Sequence, residues 1–531
     1  MKGVFTIGMD RRFADELAAG VLAEYGGDPL SLADVLILLP TRRSVRALSE
    51  AFLRASDGKP TILPRMAPLG DLDEGEWSGP ADDSDALTLP PAIDPTEREA
   101  LLAELVAAFK DDQGQPIAQS AAQALKLARE LGSLLDELAI DDVPFDKLES
   151  LVEGNFASHW QRTIKFLSIV GKVWPDVLKE RGQIDALERR TQSIRAQAER
   201  WRAHPPATPV IAAGSTGSQP ATRALLGVIA TLPEGAVVLP GLDRDMDEAS
   251  WGKIEPSHPQ FGLKELLAAL NLQRGDVTDW PGHAGDADRR QLIAELMRPA
   301  ETSESWKRPE AATLEHVTRA DCATPHQEAV VIALALREAL EGKTRTAALV
   351  TPDRDLARRV AAELRRWNIF IDDSAGQPLA DSPPATLLRA LVSAVDGGFA
   401  PVDLLALLKH PLCTLGLDRA ALLDAARRLD RKCLRGLKPA PGIAALRDVV
   451  AKTRFGNEAD RQQIVDLVAR VEAATADLAT AMGDGADPAT LLEATIAAGE
   501  ACASAETLWT GDAGEALADT LARLRDRRAH V

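Results

Sequence analysis

The chain has 531 residues, 45% of them hydrophobic and only 4% aromatic, with 61 basic against 80 acidic side chains and a formal net charge of −19. That length holds more than one domain, and the abundance of alanine and leucine beside so few aromatics favours a helix-rich protein. The charge repels nucleic acid at long range, so any contact with DNA must come from a local basic patch or from within a complex.

In chain order, Gly3–Ile7 is a β-type run and Phe13–Leu22 reads as a helix. Val35–Leu39 is a buried strand, and the helix after it, Ser44–Arg54, carries Val45, Leu48, Phe52 and Leu53. Strands alternating with helices indicate a parallel sheet. From about Gly70 to Thr96 the chain is acidic and rich in Pro, Gly and Asp, which suits a long surface loop. Helical periodicity then prevails to about Trp201, clearest in LLAELVAAF, ALKLARELGSLLDEL and IKFLSIVGKVW, which predicts an all-helical insertion. The sheet pattern resumes at Pro209–Ala213, with a helix over Pro220–Ala230 and a strand over Ala236–Leu239. A polar stretch from Trp280 to Pro309 leads to a predicted strand at Thr313–Thr318 and a helix at Gln327–Leu340.

The segment from Ala347 to Leu391 predicts a strand at Ala347–Val350, ending at Thr351-Pro352. A helix comes next, with Leu356, Val360, Ala361 and Leu364 on one face. A second short strand at Asn368–Ile371, a cluster of turn formers over Asp372–Pro378, and a helix opened by Ser382-Pro383-Pro384 complete it. Beyond Ala400 the pattern is helical, broken at Gly436–Gly442 and Gly483–Asp487.

Chemistry-bearing motifs are mostly missing. A P-loop needs G-x-x-x-x-G-K-[ST] after the first strand, because backbone N–H groups wrap the phosphates while Lys and Ser/Thr supply charge and a magnesium ligand. The chain has IGMDRRFADEL there, and Asp10 repels a phosphate. The loop Gly214–Ser218 precedes a helix and could offer N–H groups to an anion, but it has no lysine. Asp243, Asp245 and Asp247 read as a solvated turn rather than a metal cluster, since no calcium-loop pattern accompanies them. The nuclease-like tripeptides Glu341-Gly342-Lys343 and Asp430-Arg431-Lys432 lack the strand that a metal-dependent nuclease needs. His410 sits where Pro411 ends a helix, a placement that favourable interaction with the helix dipole explains. Cys322, Cys413, Cys433 and Cys502 are far apart in sequence and read as separate buried thiols of a reducing compartment. No leader-like or membrane-length apolar run is present, so a soluble, cytoplasmic protein is expected.

The strand, helix, strand, loop, helix order over 347–391 resembles the start of the second RecA-like domain of UvrD-like helicases. There the first strand ends in an arginine that reaches the nucleotide's terminal phosphate; here Thr351 stands at that position. Together with LLPTRR at 38–43, LPRMAPLGDLDE at 63–74, GSTGSQPATRALL at 214–226 and HPQFGLKELL at 258–267, the wording is similar to the AddB family. These are the partner subunits of AddAB double-strand-break repair helicase-nucleases, in their alphaproteobacterial form.

The resemblance implies an α/β fold of two RecA-like parallel-sheet domains with large all-helical insertions. The first would be split over residues 1–95 and 205–310 around a helical insertion at 96–204. The second would start at 311–400, ahead of a helical region at 401–531. It implies an AddA-type partner that supplies translocation, while this chain holds and scans single-stranded DNA for recombinational repair. Three departures agree that the ATP chemistry is lost: no P-loop, Ala213-Gly214 in place of the acidic pair, and Thr351 in place of the arginine. Thr41, Arg42 and Arg43 match the place where such helicases grip the DNA backbone; the alternative is that the arginines are solvated or pair with acidic neighbours such as Glu50. No catalytic residue, cofactor or metal is expected, and the chain is expected to stop before the family's nuclease domain. The competing readings are an autonomous ATP-driven motor with a degenerate phosphate loop, and a truncated structural remnant.

Overall fold

The computed structural model describes residues 1–56, 61–69, 89–110, 114–145, 147, 166–167, 169–283, 285–305, 317–342, 346–483 and 485–526. The chain divides into two compact units, Met1–Val317 and Thr318–Val531. The expected acidic loop at 70–96 and the strand at 313–318 fall largely outside the described residues.

The first unit is built on one six-stranded, all-parallel sheet: β1 (Gly3–Ile7), β2 (Leu36–Leu39), β3 (Arg65–Pro68), β4 (Val210–Ala213), β5 (Gly235–Pro240) and β6 (Thr278–Asp279), in the order β3-β2-β4-β5-β1-β6. Four of these follow the predicted runs closely. β3 and the two-residue β6 are not among them, being too short and too polar for a periodicity reading.

Both faces are covered, which is why the central strands read as unbroken apolar runs. Ile37, Leu39, Ile211, Ala213 and Val238 face Leu17 and Val21 of α1 (Phe13–Tyr25), and Leu48 and Phe52 of α2 (Arg42–Ala55). Leu36, Leu38, Val210, Ala212, Val237 and Leu239 face the opposite layer. After α3 (Pro95–Ala108) and α4 (Ala121–Asp141), the chain reaches that layer with α5 (Ala186–Ala203), α6 (Pro220–Thr231) and α7 (Phe261–Ala269). Beyond β6 comes α8 (Ala287–Leu296), capped by the Asp286 side chain. Each fully buried Leu or Ile side chain in the two layers contributes about 1.5–3 kcal/mol. Between residues 95 and 203 the named elements are all helical, and α3 and α4 pack on Trp174 in a core of their own.

The second unit departs from expectation. Its described residues contain no β-strand: 346–350 and 369–372 are irregular, and Val350 and Phe370 stand 93% and 81% exposed. Among the described residues neither run has a strand beside it, and two four-residue runs are marginal as a ladder by themselves. Helices α9 (Pro325–Glu341) and α10 (Arg354–Arg365) pack together through Ala329, Ala333, Val360 and Leu364. The main core joins α11 (Pro383–Asp396), α12 (Pro401–Lys409), α13 (Arg419–Leu429), α14 (Glu458–Gly483) and α15 (Pro488–Ala503). No helix among the described residues is long and apolar enough to cross a membrane.

His410, at the end of α12, is not the dipole-stabilised cation that its position suggests. Burial and the nearby Arg419 guanidinium hold its pKa below the ordinary 6.5. Its Nδ1 accepts from the Leu412 N–H at 3.3 Å, leaving Nε2 to donate to Thr386 Oγ1 at 3.0 Å. The unfolded chain therefore takes up a proton near pH 6.5 while the folded one resists it, so this contribution to stability is complete above pH 6.5 and declines below it. Thermal unfolding followed between about pH 7 and pH 5 should show a falling midpoint that His410→Gln flattens; identical profiles would exclude the histidine as the source.

A candidate crevice at the carboxyl edge of the sheet

Parallel sheets bind ligands outside the carboxyl ends of strands, where adjacent strands send their connections in opposite directions. Here that point lies between β1 and β5: the chain leaves β1 toward β2 on one side, and leaves β5 toward β6 on the other. A cavity of about 680 Å³ sits there, within the usual range for small-molecule sites. Its floor is Thr6, whose hydroxyl donates to Leu239 O at 3.3 Å and accepts from the Leu242 N–H at 3.1 Å, stitching the two strand ends together. Gly241, at φ +60°, turns the chain away from β5 where a Cβ would meet Met9 Cγ at 2.6 Å.

The walls are charged, and the charges answer one another. Asp10, with only 1% of its side chain exposed, receives Arg290 Nη1 at 3.1 Å, and the same guanidinium reaches Asp245 at 3.2 Å through Nε. Arg11 pairs with Glu16 and donates to Trp280 O at 3.3 Å. His283 contacts Glu16 through its backbone N–H at 3.1 Å and through Nδ1 at 3.0 Å. Burial alone pushes the Glu16 carboxyl up, but the hydrogen bonds from Arg11 and His283 outweigh it and leave the group below the ordinary carboxylate range. Arg244 reaches Asp279 at 2.6 Å.

The chain approaches these carboxylates so closely that side chains are excluded: a Cβ on Gly285 would lie 1.8 Å from Asp10 Oδ2, and one on Gly282 would lie 2.0 Å from Glu16 Oε2. Asp10 Oδ1 and Arg11 Nε remain buried without a hydrogen bond among the described residues.

Chemically this is poor ground for a polyphosphate. A phosphate site presents N–H groups and unpaired cations, whereas here the lining guanidiniums Arg11, Arg244 and Arg290 are each paired already, with Glu16, with Asp279, and with Asp10 and Asp245. Of the aspartates after β5, Asp245 and Asp247 are exposed, as a solvated turn requires, and Asp243 departs from that reading. Asp243 is buried and accepts from the N–H groups of Asp245 and Met246, and burial raises its pKa. Asp247 caps the next short helix, accepting from the Ser250 N–H at 2.9 Å. Among the described residues no group of three His, Cys, Asp or Glu side chains could hold a metal ion.

Thr41, Arg42 and Arg43 lie at the same edge of the sheet but not in the crevice. They come after β2, separated from β1 by β4 and β5. Thr41 is the N-cap of α2, its hydroxyl accepting from the Ser44 N–H at 3.1 Å, and all three side chains are exposed. The neighbouring loop after β4 turns at Gly214, φ +80°, where a Cβ would come within 3.6 Å of Pro40. That loop spends donors of its own: Gly214 N–H goes to Val238 O at 3.0 Å, and Gly217 N–H to Ser215 Oγ at 3.2 Å.

The sequence marks Asp10 as hostile to phosphate, but nothing in it joins that residue to Arg290, 280 positions away. Arg290→Ala strands the Asp10 carboxylate in the interior and should destabilise the first unit by about 2–3 kcal/mol, with Asp10→Asn in the same chain restoring part of the loss. Urea midpoints measure this, and an Arg290→Ala midpoint equal to wild type would refute it. Compared with known proteins, the chain matches no family model and no curated protein sequence.

Proposed function

We propose that the chain is a non-motor, helicase-like subunit of a double-strand-break repair helicase-nuclease, of AddB type, holding and scanning single-stranded DNA while an AddA-type partner drives translocation. On this reading the first unit is a RecA-like domain that no longer uses ATP. The observation that carries it is the crevice itself: at the switch point of the sheet, each guanidinium is committed to a carboxylate and Asp10 lies buried beside the first-strand turn. A motor with a degenerate phosphate loop would need cations there for the nucleotide.

DNA contact then falls to the outer part of the same edge. Arg42, Arg43 and Arg46 are exposed on the first turns of α2, whose N-terminal N–H groups add partial positive charge. A local patch of this kind is what a chain with net charge −19 requires in order to hold a phosphate backbone.

The purified chain should neither bind nor hydrolyse magnesium-ATP, with or without DNA. Titrated against a single-stranded oligonucleotide, Arg42→Ala and Arg43→Ala should each weaken binding across sequences and reduce the salt slope by roughly 0.7. DNA-stimulated ATP turnover abolished by a substitution in this chain would overturn the proposal, as would DNA binding indifferent to both arginines.

A further inference from the structure

The helical insertion of the first unit holds a second cavity, of about 890 Å³, which shares no lining residue with the sheet crevice and falls in the size range of small-molecule sites. Its walls are the end of α4, the turn at Val143–Phe145, the helix Trp174–Glu180 and the start of α5. The lining is mostly apolar, through Leu135, Leu138, Phe145, Trp174, Leu178 and Ile184. Backbone contacts fix the side that carries the polar groups. After the helix Trp174–Glu180 the chain turns at Gly182, φ +64°, and Gln183 N–H returns to Leu178 O at 2.9 Å. Ile184 N–H then donates to Pro91 O at 3.1 Å, and Ile184 O accepts from Ile93 N–H at 2.9 Å.

The polar groups of the lining divide into those already engaged and those left over. Arg98 holds Asp136 at 2.8 Å and Asp185 at 2.7 Å, and the Trp174 indole N–H donates to Asp185 at 2.7 Å. Asp142 pairs with Arg195. Gln183 Oε1, by contrast, is buried and accepts no hydrogen bond among the described residues, a state that leaves the cost of its desolvation unrecovered. Glu188 receives only the neutral Gln192 amide, at 2.7 Å, and is in no ion pair among the described residues. Lys179, the one cation among the lining residues, is exposed. The spare atoms inside are therefore acceptors. An anionic head would gain Lys179 alone and be set against Glu188, whereas a cationic N–H head satisfies both spare acceptors with charge-assisted hydrogen bonds.

We propose that this cavity is a binding site for a small amphiphilic amine, whose apolar body lies against Leu138, Phe145 and Trp174 while its protonated ammonium donates to Gln183 Oε1 and the Glu188 carboxylate.

The test titrates the full chain calorimetrically, at about pH 7, with tryptamine, whose ring suits the apolar walls and whose ammonium supplies the donors. A single saturable site with a Kd of about 0.1 mM is expected. Indole-3-propionate, with the same ring and an anionic head, should bind at least about tenfold more weakly. Gln183→Leu and Glu188→Gln should each weaken tryptamine binding about tenfold, the loss of one hydrogen bond to a charged group. Ala139→Trp, which fills the cavity from α4, should abolish it. Absence of saturable tryptamine binding to wild type, equal affinity for the two probes, or binding that survives Ala139→Trp in a chain with wild-type circular dichroism would overturn the proposal. The comparison of the two probes on wild type decides the matter even if a variant does not fold.

Discussion

A parallel sheet covered on both faces leaves polar chemistry nowhere to go but the strand ends, and the first unit is organised by that constraint. Ile37 and Leu38, or Ile211 and Ala212, point to opposite layers and are equally buried, so no central strand can carry a charge along its length. The polar groups collect where the strands stop. Thr6, the last polar residue of β1 before the turn, already spends its hydroxyl on β5. Gly8 to Arg11, just past the strand, is the first stretch in which a charge can be solvated or paired.

In that stretch the chain has built an internal salt network rather than an anion cradle. The difference is energetic as well as chemical. A buried carboxylate such as Asp10 is tolerable only beside a cation, and once Arg290 is recruited to it, no phosphate can use that guanidinium without abandoning Asp10. The glycines at 282 and 285 sharpen the point. They admit the backbone against Glu16 and Asp10, so the room that a phosphate loop gives to its ligand is taken by the protein's own side chains. At this site the switch point of the sheet is occupied by a structural network of the chain's own side chains.

The sequence is most legible where a single period decides the outcome. Gly3–Ile7, the apolar runs of β2, β4 and β5, and the helices over 13–25, 42–55, 220–231 and 325–341 can each be read from local pattern, because burial of both sheet faces or of one helix stripe imposes it. β3 and β6 cannot, since Arg65–Pro68 and Thr278–Asp279 pair through their backbone at the sheet edges and need no apolar run. The crevice is half legible. Asp10 is visible as a charge in the wrong place, while Arg290, Trp280 and His283 reach it only through the path of the folded chain. The same holds for Cys413 and Cys502, whose separation in sequence hides a junction in which the Cys502 carbonyl accepts from the N–H groups of Thr414 and Leu415.

The second unit shows the limit of local pattern from the other side. Around 349–350 and 369–370 the chain alternates as a strand does: Leu349 and Ile369 turn toward α9 and α10, and Val350 and Phe370 turn outward. The period is right and the strands still do not form. A helix pair whose buried core is two alanines, a valine and a leucine can hold one apolar layer against itself. It cannot supply the hydrogen bonds that two extended segments lack. Alternation specifies which side of a strand is buried; whether the strand exists is decided by the backbone groups available beside it. In the first unit β1 finds them in β5 and β6, its hydrogen-bonded neighbours on either side. That neighbourhood makes a short apolar run a strand there; among the described residues of the second unit the same kind of run has no such neighbour and is irregular.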